Sequence, residues 1–570
     1  MKEMVLLGDE ALAVGLLHRG VSGCFGYPGT PSTEIMEYLI EACEKKADAG
    51  ESGVPAAQWC SNEKTAYEAA LGVSFSGKRA VVTMKHVGLN VAADPFMNSA
   101  LCKIKGGLIC IVADDPSMHS SQGEQDTRFY ADFAMIPLLE PSNQQEAYEM
   151  VGEAFRISER CRVPVIIRMV TRLAHSRAVV RVDDRQDPQN KLEKGVPQDW
   201  MLLPALARKN YGFLIETQPA LQDWAEKNGS NVLTLNPERK DLAVITSGIG
   251  KNYYNENLQD FTAASGKAGA PSSLHICGLP LPAGKIRQLA EAADEILVIE
   301  EGMPFIEKQL RGILPAKTKI RGKYDGFLPR TGELNPDSVR HALGLPPRSS
   351  AAETAKIPEL PGRPPQLCKG CPHHDSYSAL NRAVEILNQK EAAAGTLSDG
   401  KTSTVVASDI GCYSLGATAP LKAVESIVCM GASLGMARGA SLAGYKYTFG
   451  VIGDSTFLHS GLTGLVDAVA AKTPVTFVIL DNSIVGMTGC QPTILPSSKF
   501  AAVVQGLGVE PEHLHVLASN PANIEANARI LAEEAEYRGV SVVILARECL
   551  EAFRLRKKKE AIQKSRNHAE

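Results

Sequence analysis

The sequence predicts an α/β protein built on parallel sheets, and three observations carry that prediction. Short runs rich in valine and isoleucine recur at Arg79–Met84, Gly107–Ala113, Pro164–Val170, Leu242–Thr246 and Glu295–Ile299, then at Thr404–Ala407, Phe449–Gly453, Val475–Asp481 and Val540–Ala546. Their length and β-branched content fit strands buried on both faces better than helices. Helix-length segments separate them, the rhythm of parallel sheets covered on both sides. Finally, 44% of the residues are hydrophobic and 22% charged, enough apolar material for a core in every part of the chain.

At roughly 150 residues per domain, 570 residues suggest about three or four domains. Two stretches read as connections. Asp183–Pro204 is polar and proline-containing without periodicity, and Leu345–Pro365 holds Pro346, Pro347, Pro358, Pro361, Pro364 and Pro365. The expected blocks are therefore 1–190, 200–345 and 366–550. A proline-rich linker spans 346–365, and a basic tail at 551–570 reads as a solvated helix end.

Lysine plus arginine number 60 against 64 acidic residues, a net charge of −4, which gives no electrostatic reason to expect a nucleic acid or an anionic membrane as partner. Met1–Asp9 lacks a signal-like pattern and no apolar run approaches the ~20 residues of a membrane span. A cytoplasmic protein is expected, and its 13 cysteines read as thiols, some of them metal ligands, rather than as a disulfide framework.

Gly453-Asp454-Ser455 ends one predicted strand and Asp481-Asn482 the next. In a parallel sheet both ends face one edge, where ligands bind. A carboxylate and an amide oxygen there suit a hard cation that also takes phosphate oxygens. Gly453 lets a backbone approach phosphate, and the following helix N-terminus favours its charge. Two ordinary strand-end turns are the competing interpretation.

Cys368 and Cys371 form a CxxC pair directly after the proline-rich stretch, compatible with zinc, a redox dithiol, an iron–sulfur pair or no ligand at all. Cys412 and Cys549 follow predicted strands, on the edge that carries Asp454. Four thiolates could hold a [4Fe–4S] cluster, against isolated buried thiols beside a structural CxxC. Glu63 opens a helix that turns small and apolar, and it could point into an interface or simply face water.

Several of these segments resemble thiamine-diphosphate enzymes. Gly-Asp-Ser followed after about 28 residues by Asn is similar to the thiamine diphosphate motif, with Ser455 where glycine is usual. The stretch Asn482–Gln491 resembles its extended form in 2-oxoacid:ferredoxin oxidoreductases, and Met430–Gly435 the segment that lines the cofactor. Gly8–Ala11, Gly26–Glu34, Asn62–Lys64, Met84–Asn90 and Ser121–Arg128 are similar, in order, to the large subunit of the indolepyruvate:ferredoxin oxidoreductase family. That resemblance covers about residues 1–550.

It implies a fold of pyrimidine-binding (1–190), transketolase-C-like (200–345) and diphosphate-binding (366–550) domains. By the same likeness Asp454, Asn482 and the main-chain carbonyl of Ile484 hold Mg²⁺, and Gly29, Gly411, Gly431, Gly453, Ser455, Gly486 and Met487 line the thiamine diphosphate. Glu63 hydrogen-bonds the aminopyrimidine, where a dry pocket would raise its pKa. Thr30 meets the 2-oxoacid, and Cys368, Cys371, Cys412 and Cys549 hold one [4Fe–4S] cluster. Lys85, His86 and Arg128 are candidate ligands of the substrate carboxylate, with surface charge or structural hydrogen bonding as the alternative.

The implied reaction is oxidative decarboxylation of an arylpyruvate-type 2-oxoacid to acyl-CoA, with coenzyme A as co-substrate. Residues 550–570 contain no cysteine, whereas the resembled family usually continues into a ferredoxin-like domain. Electrons are therefore expected to pass to another subunit or to an external carrier such as ferredoxin. A separate small subunit is expected, in a homodimer or heterotetramer whose site forms across a domain or subunit interface. The alternative activity is non-oxidative decarboxylation giving an aldehyde, and the alternative from another class is a catalytically silent scaffold.

Overall fold

A computed structural model describes residues 2–348 except 185 and 268, then 365–395 and 403–567. Residues 349–364 of the proline-rich stretch, including Pro358, Pro361 and Pro364, lie outside the described residues. The chain divides into two compact units, 1–358 and 359–570.

In the first unit a seven-stranded sheet runs, across its width, Gly278–Leu279, Leu138–Leu139, Val165–Val170, Leu108–Asp114, Ala80–Lys85, Gly23–Gly26 and Ala56–Trp59. All neighbours are parallel except Gly278–Leu279, which pairs antiparallel with Leu138–Leu139. The three central strands are buried at every residue. Continuous apolar runs of this kind arise where helices cover both faces; here Glu63–Phe75 and Gln144–Cys161 pack on the central strands.

A second sheet holds Lys319–Arg321, Glu295–Ile299, Ala243–Ser247 and Ser272–Ile276 in parallel, with Val232–Thr234 antiparallel at one edge. Because Gly278–Leu279 leaves this part of the chain to close the edge of the first sheet, both sheets share one hydrophobic core. The polar stretch after Asp183 is strapped to this unit by Asp187 N–H to His18 O at 2.7 Å and Gly195 N–H to Phe75 O at 2.7 Å.

The second unit is a six-stranded, all-parallel sheet in the order Ser426–Ile427, Thr404–Ser408, Tyr447–Gly453, Val475–Asp481, Val540–Ala546, Leu514–Ala518. Apolar clusters lie on its two faces. The C-terminal ends of its four central strands deliver Asp409, Asp454, Asn482 and Arg547–Cys549 to a single edge. The chain then runs into the helix Leu550–Asn567. No helix of the described residues is long and apolar enough to cross a membrane.

Candidate functional site

The chemistry of the second unit is concentrated on that edge. Gly453 closes its strand against the Tyr413 ring: a Cβ there would lie 2.4 Å from Tyr413 Cε1, so no side chain fits. Asp454 follows at once. Its Oδ1 accepts the Ser455 N–H at 2.8 Å and its Oδ2 the Ser483 N–H at 2.7 Å. The Ser483 N–H is shared with Asp481 Oδ1 at 3.1 Å, and Asp481 also accepts the Ser497 hydroxyl at 2.8 Å. Both carboxyl groups are 3% exposed. Burial, and then the charge of Asp481, push Asp454 up to about 8. Two buried carboxyl groups around one N–H are an arrangement that a divalent cation relieves, and oxygen donors suit Mg²⁺.

Asn482 follows directly and is 5% exposed. Its amide nitrogen lies 3.0 Å from His373 Nε2, and its Oδ1 accepts the Ile484 N–H at 3.2 Å. Burial lowers His373 to about 4, which keeps the ring neutral and able to accept from the amide. Ile484–Val485 pairs antiparallel with Gln491–Pro492, so Gly486 and Met487 sit on a small hairpin projecting from the edge. After Asp454 the helix widens into a π-type turn at Phe457–Gly461 before Leu462–Ala470. Such turns are frequent at functional sites.

Asp409 is a member of this site that sequence reasoning missed. Its Oδ2 accepts the Gly431 N–H at 3.1 Å, the Ser433 N–H at 3.3 Å and the Ser433 hydroxyl at 2.6 Å, and its Oδ1 the Tyr413 hydroxyl. Burial pushes this carboxyl up to about 6. It fixes the turn at the start of the helix Ala432–Leu442, where Gly431 has φ +84° and a Cβ would meet Ser460 at 2.6 Å. A lone aspartate after a strand carries no spacing that would have revealed it.

The four cysteines singled out from the sequence lie around the same edge. Cys368 and Cys371 form a turn closed by Cys371 N–H to Cys368 O at 3.0 Å, ahead of the helix Pro372–Ala394. The Cys549 N–H donates to Asn482 O at 3.0 Å. Arg547 pairs with Asp375 at 2.7 Å and donates to Gly370 O at 3.1 Å, which ties the last strand to the CxxC turn. Cys412 opens the turn Cys412–Ala417, and a Cβ on Gly486 would lie 3.2 Å from its sulfur. Burial, then Cys371, Cys549, Cys368 and Cys490 in that order, push the Cys412 thiol up to about 12. Five sulfurs share one neighbourhood, the fifth being Cys490, which the sequence reading passed over within Asn482–Gln491. Several cysteines around one point are a donor set that an iron–sulfur cluster can bridge.

In the first unit Glu63 is the first residue of Glu63–Phe75, a helix whose N-cap Asn62 accepts the Thr65 N–H at 2.9 Å. Glu63 is 6% exposed, and its carboxyl packs on Gly88, where a Cβ would lie 2.5 Å from Oε1. Thr30 lies in the turn after Gly23–Gly26. Its carbonyl accepts the Ser120 hydroxyl at 3.2 Å, and Lys85 Nζ donates to Ser120 O at 2.7 Å. Gly29 approaches Lys85 so closely that a Cβ would meet the lysine Cβ at 3.2 Å. Burial lowers Lys85 to about 8, opposed by Asp115. His86 Nε2 lies 3.0 Å from Gly123 O while its Nδ1 is buried without a partner.

Arg128 differs from its neighbours. Expected on a loop open to a carboxylate, it is 1% exposed, and its N–H groups go to Asp126, Glu300 and the carbonyls of Glu301 and Met303. Arg168, Asp114 and Glu140 extend this buried network. The structure thus makes Arg128 a structural donor with no group turned to solvent.

The second unit by itself carries carboxylates behind a glycine turn at a strand edge, and the first by itself a buried helix-start glutamate. Residues 409–544 match the family described as thiamine pyrophosphate enzyme, C-terminal TPP binding domain. Residues 15–210 match pyruvate flavodoxin/ferredoxin oxidoreductase, thiamine diphosphate binding. The chain is 35% identical to an indolepyruvate oxidoreductase subunit IorA of Archaeoglobus fulgidus, over 96% of this chain and 86% of that protein. It is 35% identical to the corresponding subunit of Methanothermobacter marburgensis, over 96% and 87%. A solved 2-oxoglutarate:ferredoxin oxidoreductase from Magnetococcus marinus aligns at TM-score 0.48 and 16% identity, covering 60% of this chain and 65% of that one. The protein is therefore a thiamine-diphosphate-dependent oxidoreductase of the 2-oxoacid class. Within that class it belongs to the family of indolepyruvate oxidoreductase alpha subunits.

Proposed function

We propose that this chain is the thiamine-diphosphate-binding subunit of a cytoplasmic enzyme that oxidises arylpyruvates of the indolepyruvate type. The 2-oxoacid and coenzyme A give acyl-CoA, CO₂, one proton and two electrons, the electrons leaving through one [4Fe–4S] cluster. The convergence of Cys368, Cys371, Cys412 and Cys549 on the edge that carries Asp454 and Asn482 supports the redox reading most directly. Likeness to indolepyruvate oxidoreductase subunits over nearly the whole chain supports the substrate class.

Residues 1–190, 200–345 and 366–550 are read as the pyrimidine-binding, transketolase-C-like and diphosphate-binding parts. Thiamine diphosphate, when bound, supplies the electron sink that lets a 2-oxoacid lose CO₂. Asp454, Asn482 and the Ile484 carbonyl would hold its Mg²⁺, while Gly411, Gly431, Gly453, Ser455, Gly486 and Met487 leave room for the diphosphate and ring. Gly29 would line the cofactor as well, Glu63 would bond the aminopyrimidine, and Thr30 would meet the 2-oxoacid. A homodimer or heterotetramer with a separate small subunit, and an external carrier such as ferredoxin, complete the proposed assembly.

Lys85 is read as the group that meets the substrate carboxylate, since two of its N–H groups reach Ser120 O and Oγ and the third remains. A lysine near 8 is protonated below that pH and loses its charge above it. KM for the 2-oxoacid should stay flat up to about pH 8 and then rise toward tenfold per pH unit. A KM independent of pH between 7 and 9.5 would remove Lys85 from substrate binding.

The overall reading is tested by anaerobic turnover of indolepyruvate with coenzyme A and a one-electron dye. Acyl-CoA formation that requires both additions, with two dye equivalents reduced per CO₂, is expected. Aldehyde released without an acceptor would replace it with the non-oxidative decarboxylase.

A further inference from the structure

Three helix ends of the first unit meet at a group of side chains used by none of the roles above. Asp9 is the second residue of Gly8–His18, Glu34 the second of Thr33–Asp48, and His175 the last of Thr171–His175. One ligand atom from each lies within 4.8 Å of the other two. The approach depends on Gly8, because a Cβ there would fall 2.3 Å from Leu173 O.

Asp9 is 0% exposed, and neither of its carboxyl oxygens has a hydrogen-bond partner. Glu34 Oε2 is likewise buried and unpartnered, while Oε1 lies 3.4 Å from His175 Nε2. Three orphaned carboxyl oxygens in one place are costly, since buried polar groups normally find partners. Two carboxyls sharing a proton would bond one another, and Asp9 makes no such bond. A cation satisfies all three oxygens at once. Two carboxylates with one imidazole are a donor set for Mn²⁺ or Zn²⁺ rather than for the all-oxygen shells of Mg²⁺ and Ca²⁺. The side chains of Glu34 and His175 are 33% and 36% exposed, which leaves a way in from solvent.

We propose that Asp9, Glu34 and His175 form a binding site for a divalent cation of the Mn²⁺ or Zn²⁺ type, clamping the ends of three helices together. Its consequence is positional. Glu34 lies four residues after Thr30, in the first turn of its helix. At the other end of the helix that carries His175, Thr171 donates to Asp115 at 2.7 Å, which accepts the Ser120 N–H at 2.8 Å. The clamp therefore braces the Thr30–Ser120 contact from behind.

The test counts bound Mn²⁺ by the EPR signal of the free ion, using full-length, chelator-treated and desalted protein; Mn²⁺ is chosen because thiols bind it weakly. Asp9→Asn and His175→Ala should each bind one Mn²⁺ fewer per chain than wild type, whereas Asp454→Asn, altered at the other candidate site, should keep this one. Mn²⁺ at about a hundredfold over its Kd should also raise the thermal midpoint of Asp454→Asn by on the order of 5 °C, and that rise should be absent when Asp9→Asn is added to it. Equal Mn²⁺ counts in wild type and Asp9→Asn would overturn the site. If Asp9→Asn does not fold, an unchanged count in His175→Ala does the same.

Discussion

Replacing Glu63 with glutamine should lower turnover by about 10²–10⁴-fold, the usual contribution of a positioned proton-transfer group, while thiamine content stays at the wild-type level. The substitution keeps shape and polarity, so the helix start survives: Asn62 still accepts the Thr65 N–H, and the side chain still packs on Gly88. On the proposed function, what is lost is a carboxylate facing the aminopyrimidine. The surrounding packing sharpens the expectation. Oε1 lies so close to Gly88 that even a methyl group there would displace it. Gly88→Ala should therefore impair turnover through position alone. Near-wild-type turnover of Glu63→Gln at full thiamine occupancy would exclude Glu63 from the chemistry.

The strands and the diphosphate motif could be read from the sequence because their information is local. Val475–Asp481 and Val540–Ala546 are largely apolar runs that give way to polar residues at Asp481 and Arg547, and each strand ends there. The Arg128 environment could not be read in the same way. Its partner Glu300 lies 172 residues away, in a part of the chain that meets the first sheet only in the folded core. A positive charge next to a loop looks identical whether it faces solvent or a distant glutamate. Asp409 failed for a related reason, since three of its four acceptor contacts lie 22 and 24 residues further along. Cys490 was in plain view, but it reaches the other sulfurs only because Asn482–Gln491 folds back as a hairpin. Asp9 was noticed only as part of a motif; its burial without a partner is a property of three packed helices.

Cys412→Ser should strip the protein of most of its iron, from about four atoms per chain to near none, and abolish dye reduction while thiamine stays bound. Cys412 is the sulfur on which Cys371, Cys549, Cys368 and Cys490 all act. Burial and these neighbouring cysteines disfavour the Cys412 thiolate, and a cation placed among them would favour it. Cys412 is also held against the hairpin, since a Cβ on Gly486 would lie 3.2 Å from its sulfur. Serine keeps the turn Cys412–Ala417 but is a poor ligand for iron. A control separates cluster loss from unfolding: Cys60→Ser changes a half-buried cysteine of the other unit and should leave iron unchanged. Cys490→Ser distinguishes the fifth sulfur. If iron is retained there but lost in Cys549→Ser, the four cysteines chosen from the sequence are the ligands. If the pattern reverses, Cys490 replaces Cys549 in the set. Full iron content and a normal reduced EPR spectrum in Cys412→Ser would sink the cluster assignment and, with it, the oxidative reading.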